Sequence, residues 1–207
     1  MRCRSIVTTT AFGVALVAAG VQYAVPSLVA VLQREPGSGQ WWRLVTPLFV
    51  QTLGWYQVVA NLVTLALVGV VAERLVGRWR WAVLFAVGTV GGQVAAYAWR
   101  EPGGGDSIAI CGLAGGAVVW LLAGHSGAAR WEVAVVVGYV AALTGWGFGG
   151  VGAAAVAVLV AAVMPTRVAL LGAVTCAVAL AAAHDLHGVS LASGMVVAPV
   201  ITRRAAN

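Results

Sequence analysis

The sequence predicts an all-α fold, a polytopic membrane helical bundle. Three observations carry that expectation: the composition, the length of the apolar runs, and the placement of arginines between them. Hydrophobic residues make up 61% of the chain and charged residues 9%, with a mean hydropathy of +0.96. A water-soluble domain carries roughly 25% charged residues, so the lipid bilayer is the expected solvent. The net charge of +6 would suggest nucleic acid in a soluble protein. Here the arginines lie in loops between apolar runs, where they act as topology determinants, and no nucleic-acid partner is expected. The 207 residues amount to a single integral membrane domain, 1–207.

Apolar stretches run near 9–31, 54–72, 81–99, 107–124, 131–146, 148–164, 167–183 and 187–202. A straight span takes about 20 residues, with about 17 as the lower bound, so these stretches read as about eight transmembrane helices. The start, with Arg2 and Arg4 before an apolar run from Thr8 to Leu32, has the outline of a signal peptide. Its run exceeds the roughly 7–15 residues of a signal h-region, and a retained first span is expected. The breaks between later spans are turn formers, Gly145-Trp146-Gly147-Phe148-Gly149-Gly150 and Met164-Pro165-Thr166-Arg167. Cys3, Cys111 and Cys176 are dispersed, without metal-ligand spacing or a disulfide framework, and neither a metal nor a cofactor is expected.

Eight spans with a cytoplasmic N-terminus put Arg2, Arg4, Arg74, Arg78, Arg80, Arg130, Arg167, Arg203 and Arg204 inside, and only Arg34, Arg43 and Arg100 outside. Nine against three is a strong positive-inside bias and sets the orientation. Most tryptophans fall near span ends, as an aromatic belt should. Absence of lysine beside abundant Ala, Gly, Val and Arg points to a GC-rich bacterial genome, and hence to a bacterial plasma membrane.

In this topology Ser107 and His187 each begin a span that enters from outside. Asn61 lies about seven residues down another such span, roughly 10 Å at 1.5 Å per residue. Ser107 and His187 share a face only if the 131–183 region holds an odd number of spans. It is too long for one, so it holds three. A serine attacks a carbonyl when a base takes its proton, and histidine suits that task. The oxyanion then needs donors, which Asn61 and Gln57, one helical turn apart, and the N–H groups at the start of the Ser107 helix supply. Taken singly, each residue has a plain structural explanation, such as back-bonding or helix packing. Together at one depth they point to function. Small residues give the two helices a way to approach: Ser107, Cys111 and Gly115 recur every four residues beside Gly112 and Gly116, and His187 is followed by Ser190 and Gly194.

These residues resemble the rhomboid intramembrane serine proteases, from the first outside loop to the last span, with five motifs in family order. Trp42-Arg43, followed by Leu44-Val45-Thr46-Pro47-Leu48-Phe49, is similar to the family's Trp-Arg loop. Asn61 matches the asparagine of its His-x-x-x-Asn pattern. Gly69, Glu73 and Gly77 reproduce GxxxExxxG, and Gly105, Ser107 and Gly112 match GxSGxxxG except at one position. His187, Ser190 and Gly194 resemble the His-x-x-Gly-x-x-x-Gly helix.

The resemblance implies a six-helix rhomboid core, here with two further helices between serine and histidine. It implies a Ser107–His187 dyad that cleaves membrane-protein substrates entering laterally from lipid. It implies no catalytic aspartate: Asp106 is expected to be a solvated helix-start residue and Asp185 is not assigned to a triad. Glu73 is expected to tie the cytoplasmic end of its helix. The departures are Ile108, expected to crowd the scissile carbonyl where the family prefers glycine, Gln57 in place of a histidine, and Cys111 in place of an aromatic. His184, three residues before His187, is the rival base, and His187 is preferred for the small residues at its offsets. A His184/His187 metal site lacks a third ligand, and His125 reads as a solvated loop residue. Two other functions stand beside the protease: a non-cleaving rhomboid-like binder of membrane proteins, and a small transporter, which would string polar residues across the bilayer.

Overall fold

The computed structural model describes residues 5–124 and 127–203. Cys3, His125 and, from the inside arginine set, Arg2, Arg4 and Arg204 lie outside them. The described chain is all helical: α1 (Ile6–Ala24), α2 (Ser27–Leu32), two 3-10 turns (Trp41–Leu44 and Thr46–Phe49), α3 (Trp55–Val76), α4 (Arg78–Ala98), α5 (Ser107–Leu122), α6 (Arg130–Val163), α7 (Thr166–Ala182) and α8 (Leu186–Arg203). Ile6–Ala24, Trp55–Val76, Arg78–Ala98 and Arg130–Val163 are long and apolar enough to cross a membrane, while the helices beginning at Ser107, Thr166 and Leu186 are shorter.

Two boundaries differ from the sequence expectation, each for a local reason. The first apolar run is not one helix. Pro26 ends it, because the residue before a proline is pushed out of the helical region, and Val25 sits at φ −133, ψ 78. The second difference is the turn expected at Gly147. The chain stays helical to Gly150, whose φ of +72 and ψ of −158 break the pattern. A Cβ added to Gly145 would lie 2.4 Å from Ala154 Cα. Nine residues apart on a straight helix would mean about 13.5 Å, so α6 is a tight hairpin with arms 130–149 and 151–163.

Helix α5 is the centre of the bundle, buried continuously from Ile108 to Val118 and packed by α3, α4 and α8. Helices with no side chain at the contact can approach until backbones touch. A Cβ on Gly112 would fall 2.3 Å from Leu84 O of α4, one on Gly115 would fall 2.1 Å from Leu191 O of α8, and one on Gly194 would fall 2.1 Å from Gly112 O. The small-residue faces read from the sequence are the seams of this three-helix core.

At the opposite end from Ser107, two carboxylates fasten helix starts. Glu73, near the end of α3, accepts the N–H of Val7 at 3.1 Å and of Thr8 at 2.8 Å, and the Thr8 hydroxyl at 2.8 Å. It thereby neutralises the unsatisfied donors at the start of α1. Gly69 lets α1 come close, since a Cβ there would meet Thr8 Cγ2 at 2.7 Å, and Gly77 ends α3 with φ +82. Glu132 does the same work on α6, accepting Ala129 N–H at 2.9 Å and pairing with Arg74 at 3.0 Å.

Candidate active site

The loops beside Ser107 are pinned by their own hydrogen bonds. Arg43 donates to Gln33 O at 2.7 Å, to Ala30 O at 3.1 Å and to Gln40 Oε1, and so fastens the end of α2. Its neighbour Trp42 packs edge-on against Trp41, the ring centroids 6.2 Å apart. Arg34 and Gly103 exchange backbone hydrogen bonds of 2.7 and 3.1 Å. Gly105 donates to Pro47 O at 2.8 Å with φ +145, a conformation that favours glycine. This lays the 101–106 segment against the 47–52 loop and delivers Ser107 to the first position of α5.

The start of α8 is shaped by the end of α7. His184 N–H bonds Ala181 O at 3.1 Å and Asp185 N–H bonds Leu180 O at 2.9 Å, the paired bonds of a Schellman terminus. His184 takes the left-handed position, φ +59, usually held by glycine. Its ring meets Trp99 edge-on at 5.2 Å. A Cβ on Gly188 would lie 2.2 Å from Ala181 N, so α8 begins hard against the turn it leaves.

These two helix starts meet. Ser107 Oγ lies 2.9 Å from His187 Nε2, inside hydrogen-bond range. The other ring nitrogen, Nδ1, lies 2.7 Å from Asp185 Oδ1, and the same oxygen accepts His187 N–H at 2.8 Å. Asp185 lies outside the helices. Its partial burial would raise its pKa, and the hydrogen bonds and charge of His187 reverse this, leaving the carboxyl below its ordinary range. His187 and Asp185 line a cleft of about 340 Å³ together with Glu101, Gly147, Phe148 and His184. His184, the alternative base, is turned to Trp99 and not to Ser107.

The amides expected to serve an oxyanion are close by but engaged. Asn61 Nδ2 donates to Gln51 Oε1 and to Asp106 Oδ1, both at 2.9 Å. Gln57 Nε2 donates to Gly104 O at 2.9 Å. Both amides lie around Gly105, where a Cβ would fall 2.5 Å from Gln57 Nε2 and 3.5 Å from Asn61 Nδ2. Asp106 is buried, not solvated as expected, and Gln51 Nε2 also donates to its Oδ1 at 2.9 Å. Burial pushes this carboxyl above its ordinary range against those hydrogen bonds. The Gln51 loop folds over the start of α5 and closes Asp106 off from water.

Ile108 does not occupy the site. Its side chain turns into the α4 seam, where a Cβ on Gly92 would meet Ile108 Cβ at 2.8 Å. Cys111 has an aromatic neighbour from another helix: Tyr139 OH of α6 lies 3.3 Å from Cys111 Sγ and 3.5 Å from Ser107 O. Sequence reasoning passed over Gln51, Tyr139 and the orientation of Asp185. Only Asp185 left a signal, a carboxylate two residues ahead of a histidine where a helix begins.

The model of one sequence family, the rhomboid domain, matches residues 38–164, more than half of the chain. No curated protein and no solved structure matches. The matched segment carries Trp42, Arg43, Asn61, Glu73 and Ser107 and ends before α7, so His187 comes from outside it.

Proposed function

This chain belongs to the rhomboid family, and we propose that it is an intramembrane serine endopeptidase with Ser107 as nucleophile and His187 as general base. The observation that carries this reading is the 2.9 Å contact between Ser107 Oγ and His187 Nε2, made across eighty positions of sequence. In acylation, Oγ bonds to the scissile carbonyl carbon and its proton passes to Nε2. The carbonyl π pair moves onto oxygen, then returns as the C–N bond breaks, and His187 hands its proton to the departing amine. Water repeats the sequence on the ester: its proton goes to His187, the ester C–O bond breaks, and Ser107 recovers its hydrogen.

The oxyanion is served by the N–H groups of Ser107 and Ile108, since those of Ala109 and Ile110 donate to Asp106 O at 3.0 and 3.2 Å, and by Gln57. Asn61 joins them only by releasing Asp106 or Gln51. The eight-span, N-inside topology belongs to this proposal, as does the bacterial plasma membrane. In it the two arms of α6 and α7 supply the three passes that bring His187 back to the Ser107 face, the second arm, 151–163, being shorter than a straight span. Substrates are transmembrane segments of other proteins, entering from lipid and unwinding to expose a carbonyl.

The engaged Asn61 amide favours a second reading, a rhomboid-like protein that binds membrane clients without cutting them. Reconstitution with a transmembrane reporter substrate separates the two. Cleavage by the wild type, abolished in both Ser107→Ala and His187→Ala, is the expected result. Cleavage that survives either substitution refutes the dyad, and client binding with no cleavage by any form establishes the second reading. Labelling of Ser107 by a fluorophosphonate is a quicker check of the same nucleophile.

A further inference from the structure

We propose that Asp185 is the positioning residue of the His187 base, so that Ser107, His187 and Asp185 act as one hydrogen-bonded chain. The inference deepens the protease reading and rests on it. An ionised carboxylate has no proton to give, so the 2.7 Å contact between Asp185 Oδ1 and His187 Nδ1 is an N–H donated by the ring. With its proton on Nδ1, a neutral imidazole presents Nε2 as an acceptor, which is what a base facing the Ser107 hydroxyl at 2.9 Å must do. The lowered pKa of Asp185 keeps the carboxylate ionised where such a base works.

The backbone holds this contact in register. The two Schellman bonds place Asp185 as the residue that leaves α7, and the same Oδ1 accepts the His187 N–H at 2.8 Å. One oxygen therefore caps α8 and orients the ring of its second residue. The glycine at 188, jammed against Ala181 N, denies the turn room to rotate. A cap alone does not require the ring nitrogen to meet the same oxygen. That second contact is the mark of positioning. The groups around the pair are few: Glu101 and His184 line the same cleft, and Cys111 of α5 and Tyr139 of α6 lie within electrostatic reach of Asp185.

Asp185→Asn and Asp185→Ser separate positioning from capping, because both side chains still cap a helix and neither carries the charge. The chain has three histidines, so ¹³Cε1-histidine NMR of the full-length protein in detergent follows each imidazole without reference to activity. The His187 titration midpoint falls in both variants, since a protonated ring loses its anionic partner, while Glu101→Gln and His184→Ala leave it nearly in place. In cleavage assays kcat drops about 10- to 100-fold with KM little changed, and the acid limb of kcat/KM moves to lower pH. The loss is smaller than the roughly 10⁴-fold of a fully buried triad aspartate, because the two side chains are 27% and 29% exposed and water screens them. An unmoved His187 midpoint in both variants, or wild-type kcat in Asp185→Ser, overturns the proposal. Cleavage that survives Ser107→Ala instead refutes the protease reading, and the NMR titration still decides the pair.

Discussion

The two helix starts that meet at the site, those of α5 and α8, are built from the same materials and used differently. Each has an aspartate just ahead of the residue proposed to act in catalysis, Ser107 or His187. At α5 the spacing is one, and Asp106 turns away from Ser107 into a buried nest of Gln51 and Asn61 amides. At α8 the spacing is two, and Asp185 curls back onto the ring of His187. Side chains adjacent on a helix do not face each other, whereas a cap residue reaches the second residue of the turn it opens. One position of spacing thus separates a carboxyl that organises a loop from one that organises a base.

The largest effects are expected at Ser107 and His187 themselves. Ser107→Ala and His187→Ala should each lower cleavage by at least about 10³-fold, and the double variant should lose little more, as read by initial rates on a transmembrane reporter. The two starts meet only because α5 and α8 touch backbone to backbone. Gly115→Ala drives a methyl into Leu191 O, at 2.1 Å for the added atom. It should cost about 3 kcal/mol of stability in detergent unfolding and activity with it. Gly172→Ala, with open space around it, should be neutral or stabilise by roughly 0.5–1 kcal/mol.

The aspartates themselves should show opposite signs with pH. The native pKa of Asp185 lies below the unfolded value, so the native state holds fewer protons. Its stabilising contribution is present above the ordinary aspartate range and is lost as pH falls through the native pKa. The native pKa of Asp106 lies above the unfolded value, so its charged form is the penalised one and stability falls as pH rises from that range through the native pKa. Melting curves across acid to neutral pH should therefore show Asp106→Asn gaining on wild type toward neutral pH and Asp185→Asn losing. Parallel curves would erase the distinction between the two starts. The smallest effect belongs to His184→Gly, which relieves a left-handed residue but gives up the Trp99 edge contact. The two nearly cancel to within about 1 kcal/mol, and cleavage should persist.

The bundle was legible in the sequence because lipid leaves few alternatives to apolar helices. The approach of Ser107 and His187 was legible because small residues recur at a spacing of four on both helices, Cys111 and Gly115 on α5 and Ser190 and Gly194 on α8. The turn positions were not, since a run holding Gly145, Gly147, Gly149 and Gly150 marks a break without choosing which glycine adopts positive φ. Ile108 was misjudged from its place beside the serine, although the direction of its side chain is set by helix phase and Gly92 receives it. The burial of Asp106 depends on Gln51, fifty-five residues earlier and in an irregular loop. No local pattern records such a contact. Asp185 was the nearest miss, passed over because the resemblance supplied a dyad and the spacing had to be read as a helix cap.

The Glu73 clamp has a consequence for how the protein is made. The donors at the start of α1 are satisfied by a carboxylate sixty-five positions downstream of Thr8. A nascent chain therefore makes its first helix well before the group that seats it. The helix is inserted early and fastened late, and a chain arrested before residue 73 carries an unsealed end.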